Sequence, residues 1–282
     1  MRQPVDLAAV RGRYPQHFAR FGRQHLVAVL AGVAAFVVLV FGMVQLDFFS
    51  GKLLSGGERL LDILGLMLPP DPGSWPHVRT FAVALLETIA IAFLGTLAAA
   101  VLALPVSLLA ARNVIAARVV RFLSRRSFDT IRSVDILVWA LIWVNVVGLG
   151  PFAGALAIMT ADIGSFGKLF SEAIEAADRK PVEGIVSTGG SHLFAIRFGI
   201  LPEVFPMLAS QVLYYFESNV RSASIIGIVG AGGIGLHLAE AIRTLELQQT
   251  SFIIVMILIA VALIDFVSGQ LRFAVIGRRA TT

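Results

Sequence analysis

Long uninterrupted runs of apolar residues constrain this chain more strongly than any other feature of its sequence. Residues 26–46 contain no charged side chain, and residues 82–111 contain a single one, Glu87. A helical run of about 20 apolar residues crosses the roughly 30 Å hydrocarbon core of a bilayer. The 282 residues are 57% hydrophobic and only 15% charged, which is too apolar for a water-soluble domain of this size. The sequence therefore predicts an all-α integral membrane protein.

Polar and glycine-rich breaks divide the apolar residues into about six predicted transmembrane helices. The strongest short break is Gly-Leu-Gly-Pro at residues 148–151. Residues 47–81, rich in proline and glycine, form a predicted external loop between the first span and a core at residues 82–275. The first span lacks the small-residue cleavage site of a signal peptide, so a retained anchor helix is predicted. The predicted spans are residues 26–46, 82–111, 136–147, 152–170, 203–226 and 252–275.

Arginines indicate which side of the membrane each connecting segment occupies. Five lie in an N-terminal basic arm (residues 1–25) and six lie between residues 112 and 132. Three more lie near the C-terminus: Arg272, Arg278 and Arg279. Because cytoplasmic loops carry the excess of Lys and Arg, both termini, with the tail at residues 276–282, are predicted to be cytoplasmic, and so is segment 171–201. We expect a multi-pass protein of the cytoplasmic (inner) membrane.

The residues that carry most enzymatic chemistry are scarce and scattered in this chain. The absence of cysteine excludes disulfides, thiol catalysis and cysteine-ligated metal sites. The five histidines are dispersed, and no zinc-protease, serine-hydrolase or Walker A signature is present. The basic residues flank apolar runs, so they indicate membrane orientation and not nucleic-acid binding. We therefore expect no enzyme, no metal site, no cofactor bound by this chain and no nucleic-acid partner, but contact with the lipid bilayer.

The predicted cytoplasmic segment 171–201 contains two short amphipathic stretches separated by a glycine pair. Pro181 suits the first turn of a helix, and Glu183 lies near the positive end of that helix. The glycines at residues 189–190 break the helix before a second stretch, residues 192–198. Such a segment suits docking into a groove of a soluble partner, and it equally suits an amphipathic helix lying on lipid.

The same segment resembles the EAA loop of binding-protein-dependent ABC transporter permeases. That pattern is E-A-A, three residues, G, nine residues and I-x-L-P. Four residues fall at the matching spacings: Glu183, Gly189, Leu201 and Pro202. The sequence departs from the pattern at three positions, with Gly184 and Ile185 in place of two alanines and Gly199 in place of isoleucine.

Three further stretches resemble the phosphonate- and phosphite-type permeases: residues 132–158, 163–175 and 214–235. The resemblance implies the fold of a type I ABC importer permease, with about six spans and a cytoplasmic coupling-helix loop. Methionine-type permeases share the EAA loop and a glycine-rich stretch but resemble the chain less. A methionine-type or other small-solute ABC permease is therefore the alternative.

The resemblance also implies a function and a set of partners. The chain would be the permease subunit of an importer for phosphonate or a related phosphorus oxyanion, phosphite or phosphate, working by alternating access. Its partners would be a second copy in a homodimer, two ATP-binding subunits that carry ATP and Mg²⁺, and an extracytoplasmic solute-binding protein. The residues that the resemblance assigns to ATPase coupling are Glu183, Gly184, Gly189, Gly190, Leu201 and Pro202.

Residues 230–235, Gly-Ala-Gly-Gly-Ile-Gly, match the G-x-G-x-x-G fingerprint of dinucleotide-binding proteins. The fingerprint needs a preceding strand and a later acidic residue, whereas a predicted span precedes this copy. A membrane enzyme that binds nucleotide with this loop is therefore a less favoured alternative. A tight turn at the outer mouth of the bundle explains the glycines better, serving either as an anion-holding nest or, more simply, for packing.

Charged side chains inside the predicted spans are candidates for the transport pathway. Glu217 and Arg221 lie four residues apart and so share a helix face. Because burying a charged side chain in lipid costs free energy, both residues are predicted to face the bundle interior or water. Counting from Pro202 puts Glu217 about 22 Å along its helix, in the outer third of the membrane. The pair is either a structural ion pair or a substrate contact.

Other polar residues in the spans carry weaker signals. Asp162 lies near the middle of its predicted span, where a carboxylate would repel an anionic substrate, so pairing, protonation or a helix contact is expected. Glu87 and Asp265 lie near span ends, where interfacial solvation is ordinary, and Ser133 is a weak candidate. The predicted pathway residues are Asn145, Glu217, Asn219, Arg221, Gly230, Gly232 and Gly233.

Overall fold

Every regular element in the described part of the chain is a helix, as predicted. The structure is a computed structural model that describes residues 23–46, 48, 52–114 and 117–276. Most of the predicted basic arm and nearly all of the predicted tail lie outside the described residues. Contacts divide the chain into two units, Met1–Gly65 and Leu66–Thr282.

The first unit contains α1 (Arg23–Gln45) and nearly all of α2 (Lys52–Leu66). α1 coincides with the first predicted span, and its side chains from Leu26 onward are almost all exposed. α2 lies in the stretch predicted as an external loop, so this connecting segment contains a helix that the sequence analysis did not predict. Leucines at helical spacing explain the difference, since they give the stretch an apolar face: Leu60, Leu61 and Leu64.

The second unit contains the remaining helices. They are α3 (Trp75–Ala110), α4 (Arg118–Arg132), α5 (Ile136–Val147), α6 (Pro151–Ala176), α7 (Lys180–Ser187), α8 (His192–Phe194), α9 (Leu201–Ile226), α10 (Ile234–Arg243) and α11 (Leu247–Ile276). A π-helical segment, Ala195–Ile200, joins α8 to α9, and a 3₁₀ turn, Gly227–Val229, follows α9. The sequence did not predict α4 or α10. α3 begins seven residues earlier than predicted, with Pro76 in its first turn, where a missing N–H is tolerated.

Four helical segments in the described residues are long and apolar enough to cross a membrane: Leu26–Gln45, Trp75–Ala110, His192–Val229 and Leu247–Ala274. α4 and α5 make a fifth candidate, bent by 88° between its two helices. α6 is long enough, but Asp162 and Lys168 lower the hydropathy of its apolar run. A helix therefore lies at each of the predicted spans, although four or five meet the criterion instead of about six.

α3 and α6 form the most extensive helix pair of the second unit. Their backbones approach closely, because a Cβ atom at Gly95 would lie 2.9 Å from the carbonyl oxygen of Ala155. Fully buried alanines continue this face of α3: Ala92, Ala99 and Ala103. Close packing of small residues is a main source of helix association in lipid, where apolar burial gives little driving force.

Three buried apolar clusters follow one another along the second unit. The first contains Phe166, Phe170, Ile174 and Ile200, the second Ile91, Ile158, Val220 and Ile226, and the third Phe81, Ile234 and Ile253. The first cluster joins α3 and α6 to the π-helical segment before α9. It therefore packs the predicted cytoplasmic segment onto the ends of two spans.

α4 crosses α6 at two glycines. A Cβ atom at Gly164 would lie 2.9 Å from the carbonyl oxygen of Phe128, and one at Gly167 would overlap the Phe128 ring. The ring is buried there, so α4 is held to α6 by a site that accepts only glycine.

We expect Gly167→Ala to destabilise the protein by about 1–3 kcal/mol, because overpacking displaces the Phe128 ring. Gly184→Ala is the matched control, since no atom lies within 4 Å of a Cβ atom at that position and alanine favours a helix. Thermal unfolding of both variants in the same detergent measures the difference. Equal melting temperatures for the two variants would contradict the close contact.

Candidate functional site

A buried polar cluster joins three helices of the second unit. The Asn219 amide nitrogen of α9 donates hydrogen bonds to Thr96 Oγ1 of α3, at 2.7 Å, and to Asp162 Oδ2 of α6, at 2.5 Å. All three side chains are buried. Because an unpaired polar group in an apolar interior is costly, these bonds tie the three helices together.

The cluster confirms that Asp162 is paired and assigns Asn219 a structural contact. Asn219 was predicted as a pathway residue, but in this structure its amide nitrogen is engaged within the chain. Thr96 was not singled out from the sequence, because a threonine in an apolar helix has no distinctive pattern. The only available signal was its place on the same face as the buried alanines of α3.

Glu217 lies between two arginines. Its Oε2 atom is 2.9 Å from Arg272 Nη2 of α11, and its Oε1 atom is 3.8 Å from Arg221 Nη2. The Glu217 side chain is 9% exposed, whereas that of Arg221 is 51% exposed. The predicted pair of Glu217 and Arg221 therefore exists. Arg272 is the closer partner of Glu217, although the sequence analysis used Arg272 only to predict the membrane orientation.

The contact with Arg272 bears on the predicted depth of Glu217. Arg272 lies near the C-terminal end of α11, and Ser268 of α11 donates a hydrogen bond to the Leu213 carbonyl of α9 in the same region. Because that end of α11 is predicted to be cytoplasmic, the contact favours a position closer to the cytoplasmic side than the outer third that counting from Pro202 predicts. The helix already begins at His192, and its first turns pack on α7.

Arg221 borders an apolar cavity of about 260 Å³ between α9, α10 and α11. The other lining residues include Ser224, Ile225, Leu238, Ile257 and Leu258. The Arg221 side chain is half-exposed beside this cavity, and its guanidinium lies farther from Glu217 than that of Arg272 does. Such a cation can attract an oxyanion.

The three predicted glycines of the GAGGIG loop all have positive φ angles, 96° at Gly230, 82° at Gly232 and 75° at Gly233. These are values that other residues rarely adopt. A Cβ atom at Gly232 would lie 2.6 Å from the backbone nitrogen of Pro151, so the loop packs against the turn between α5 and α6. The Gly150 N–H donates to the Gly230 carbonyl at 2.9 Å across this contact.

The backbone N–H groups at the end of this loop are bonded within the chain. Gly233 donates to Glu87 Oε1 at 3.1 Å, and Ile234 donates to Thr88 Oγ1 at 2.8 Å. The geometry therefore favours the packing role over an anion nest. Glu87 is half-buried and caps α10, which differs from the interfacial solvation predicted for it. The described residues before the loop are helical, not a strand, so the dinucleotide fold is absent there.

The remaining polar candidates lie apart from these clusters. Asn145 is exposed on α5, and its amide nitrogen donates to the Leu141 carbonyl of its own helix. Asp265 is exposed, 4.0 Å from Arg272. Ser133 ends α4 and donates to the Thr130 carbonyl. Within the described ranges, no three His, Asp or Glu side chains converge as a metal site would require.

The predicted EAA segment forms a helix–turn–helix, which we call the knuckle (residues 178–203). Its first helix, α7, has Pro181 in the first turn and leaves Glu183 and Gly184 exposed. Gly189 then adopts a φ of 83°, and the Gly190 N–H donates to the Ile185 carbonyl at 3.0 Å. This is the glycine-terminated helix end that the sequence predicted.

Two of the three departures from the family pattern, Ile185 and Gly199, lie against each other. A Cβ atom at Gly199 would lie 3.4 Å from Ile185 Cδ1 and 3.2 Å from Val182 Cγ2. Ile185 is larger than the alanine of the pattern, and Gly199 is smaller than the isoleucine. The knuckle therefore keeps its packing by exchanging a small and a large residue across one contact.

The second half of the knuckle continues into a membrane helix. His192–Val229 is one helical stretch, with Leu201 half-buried and Pro202 in the first turn of α9. The sequence suggested a separate helix at residues 192–198. The π-helical segment bridges that gap, and α7 packs against it, at the start of the helical stretch that bears Glu217.

Hydrogen bonds hold the knuckle and the end of α6 just before it. Glu175 Oε1 of α6 accepts from Arg125 Nη2 at 2.5 Å and from the Arg112 backbone at 2.6 Å. His192 Nε2 lies 3.0 Å from the Val114 carbonyl oxygen, outside the knuckle, and Glu203 Oε1 accepts from the Asp178 backbone at 2.8 Å between the two ends of the knuckle. The sequence did not indicate these contacts, because most join residues far apart in the chain.

Comparison with known proteins gives a consistent result. Residues 103–279 match the model of the family described as binding-protein-dependent transport system inner membrane component. A putative phosphite transport system permease protein of Stutzerimonas stutzeri, HtxC, is 36% identical over 97% of this chain and 93% of its own length. A putative cryptic phosphonate transport system permease protein of Escherichia coli K12, PhnE2, is 52% identical over 42% of this chain and 96% of its own length.

The fold also matches a solved structure. A chain of the MetNI methionine ABC transporter, in an inward-facing crystal form, superposes with a TM-score of 0.63. The match covers 72% of this chain and 99% of the other, at 21% sequence identity. Identity this low shows a shared fold and nothing further.

We expect Asn219→Ala to destabilise the protein by about 1–3 kcal/mol, because it leaves Asp162 buried without its hydrogen-bond donor. Asn145→Ala is the matched control, since that amide is exposed and bonds only within its own helix. Thermal unfolding in detergent compares the two. A melting temperature for Asn219→Ala as high as that of Asn145→Ala would show that the cluster does not hold the helices.

Proposed function

The chain belongs to the binding-protein-dependent transport system inner membrane components, and on that premise we propose that it conducts phosphonate or a related phosphorus oxyanion, phosphite or phosphate, through an ATP-driven importer. As a member of that family it is a transport component and not an enzyme. The named substrates of its relatives, phosphite and phosphonate, support the substrate class.

The observation that carries the proposed mechanism is the construction of the knuckle. Its outer face exposes Glu183 and Gly184, while its inner face packs on Gly199 and on the first apolar cluster. It continues without a break into the helix that bears Glu217 and Arg221. Motion of a partner pressed on α7 would therefore be transmitted along α9 to the polar residues inside the membrane.

Membership of this family implies an ATPase and a solute-binding protein as partners. We propose the finer arrangement of two copies of this chain, each docked through the knuckle on one ATP-binding subunit that carries ATP and Mg²⁺. The protein is an inner-membrane component by family. The proposed orientation puts both termini and the knuckle in the cytoplasm, following the arginine distribution.

Arg221 is the proposed pathway cation. Hydrogen bonds or ion pairs within the chain engage the other charges on the described inner helix faces, since Asp162 accepts from Asn219 and Glu217 pairs with Arg272. Such engagement reduces the repulsion that a buried carboxylate would exert on an anionic substrate. Arg221 pairs with Glu217 only at 3.8 Å and is half-exposed beside the apolar cavity, so in this proposal it attracts the oxyanion.

Two alternatives have less support. The likeness to the methionine transporter rests on 21% identity, which carries the fold alone. A nucleotide site in the GAGGIG loop is disfavoured, because the Gly233 and Ile234 N–H groups already bond Glu87 and Thr88. A direct test reconstitutes the complete importer with its binding protein and measures ATP hydrolysis with methylphosphonate, phosphite, phosphate or methionine. Stimulation by methionine alone would overturn the proposed substrate class.

We expect Glu183→Arg to abolish most substrate-stimulated ATP hydrolysis and to weaken retention of the ATPase subunit on affinity purification. The reason is that Glu183 is exposed on the face of α7 that points away from the core. Glu240→Arg is the matched control, an exposed charge reversal on α10. Normal coupling and retention in Glu183→Arg would contradict docking through the knuckle.

We expect Arg221→Gln to reduce uptake of the oxyanion at least about tenfold, because one charge-assisted contact contributes about 1.5–3 kcal/mol. Arg243→Gln, which removes an exposed arginine at the end of α10, serves as control. Uptake is measured in proteoliposomes, with thermal unfolding as a check on folding. If a well-folded Arg221→Gln transports normally, Arg221 has only a structural role.

A further inference from the structure

α4 turns its apolar residues away from the rest of the second unit. Val119 is 70% exposed, Phe122 59% and Leu123 58%, and all three lie on one side of the helix. The opposite side holds the buried Phe128 against α6. A helix of a water-soluble protein would turn the exposed face inward.

Arginines border this apolar face. Arg126 is exposed, and its guanidinium lies 5.4 Å from the centroid of the Phe122 ring, although it also pairs weakly with Asp129 at 3.3 Å. Arg118 is exposed at the start of the helix. An apolar stripe with exposed guanidinium groups beside it is typical of helices that lie at the membrane surface.

The bend between α4 and α5 agrees with a position along that surface. α5 carries no charged residue and packs against α6, with Trp143 Nε1 donating to Thr160 Oγ1 at 3.0 Å. α4 is bent by 88° from α5, so an α5 that follows the spans leaves α4 lying across them. Its segment carries six arginines between residues 112 and 132, which is the signature of the cytoplasmic side.

We propose that α4 is an interfacial helix that binds anionic phospholipid of the cytoplasmic leaflet. Val119, Phe122 and Leu123 insert among the acyl chains at the interface. Arg118 and Arg126 bind headgroup phosphates, for which guanidinium groups are well suited. Charge complementarity selects this occupant, because the cytoplasmic leaflet carries a negative surface potential and attracts basic amphipathic helices.

The lipid contact lies close to the base of the knuckle. Arg125 of α4 bonds both Glu175, just before the knuckle, and the Ala110 carbonyl at the end of α3. Anionic lipid that holds α4 in place therefore also stabilises the contacts of Arg125 with Glu175 and Ala110, next to the knuckle.

The absence of cysteine from the sequence allows a clean test of where α4 lies. A nitroxide is attached to Phe122→Cys or Leu123→Cys in the full-length chain, in nanodiscs of phosphatidylcholine with or without phosphatidylglycerol. We expect higher accessibility to oxygen than to a water-soluble nickel reagent, increasing with phosphatidylglycerol. Thr188→Cys on the knuckle is the water-exposed control. Labels on α4 that behave like the Thr188 label would overturn the proposal.

Lipid selectivity is tested by native mass spectrometry of the full-length chain with bound phosphatidylglycerol. We expect the double variant Arg118→Gln/Arg126→Gln to retain about tenfold less phosphatidylglycerol, given the attraction of each arginine to an anionic surface. The control is Arg79→Gln/Arg243→Gln, which removes the same charge on the predicted outer side. Equal retention in the two double variants would overturn the proposal. So would labels that lose access to water only when the ATPase subunit binds, because a protein would then cover α4.

Discussion

The hydrogen bonds from Asn219 to Thr96 and Asp162 hold together helices that the membrane itself would not assemble. Lipid tails are as apolar as the side chains of α3, α6 and α9, so the hydrophobic effect favours insertion but hardly distinguishes one helix neighbour from another. A polar residue left unpaired in that environment is costly, so the need for a hydrogen-bond partner determines which helices pack together. The small residues of α3 then allow its backbone to approach that of α6 closely.

Other polar side chains in the interior also have partners within the chain. Asp162 and Glu217 accept hydrogen bonds from Asn219 and Arg272. The GAGGIG loop uses its terminal N–H groups on Glu87 and Thr88. Most polar residues in the described spans thus serve the fold, and the half-exposed Arg221 is the one for which we propose a role in the pathway. An importer of phosphorus oxyanions needs such an interior, because buried carboxylates without partners would repel the substrate.

The knuckle shows how a degenerate motif can keep its geometry. Ile185 and Gly199 both differ from the family pattern in size, in opposite directions, and they meet across one contact. The larger residue occupies space that the smaller one leaves, so the two arms of the knuckle stay in contact. The unbroken helix from His192 onward then links this surface element to the membrane interior, which a flexible loop would not do.

The sequence by itself determined the helical membrane class, the positions of the spans, the arginine-rich side, and the glycine turn at Gly189. These properties depend on local composition and on short-range spacing, which periodicity records directly. Only the tertiary structure decided that Glu217 pairs most closely with Arg272, that Asn219 joins Thr96 to Asp162, that α4 turns by 88° from α5, and that Glu87 caps α10. Each of these depends on which helix lies beside which. Contacts between residues tens of positions apart leave no mark in the pattern of a single chain.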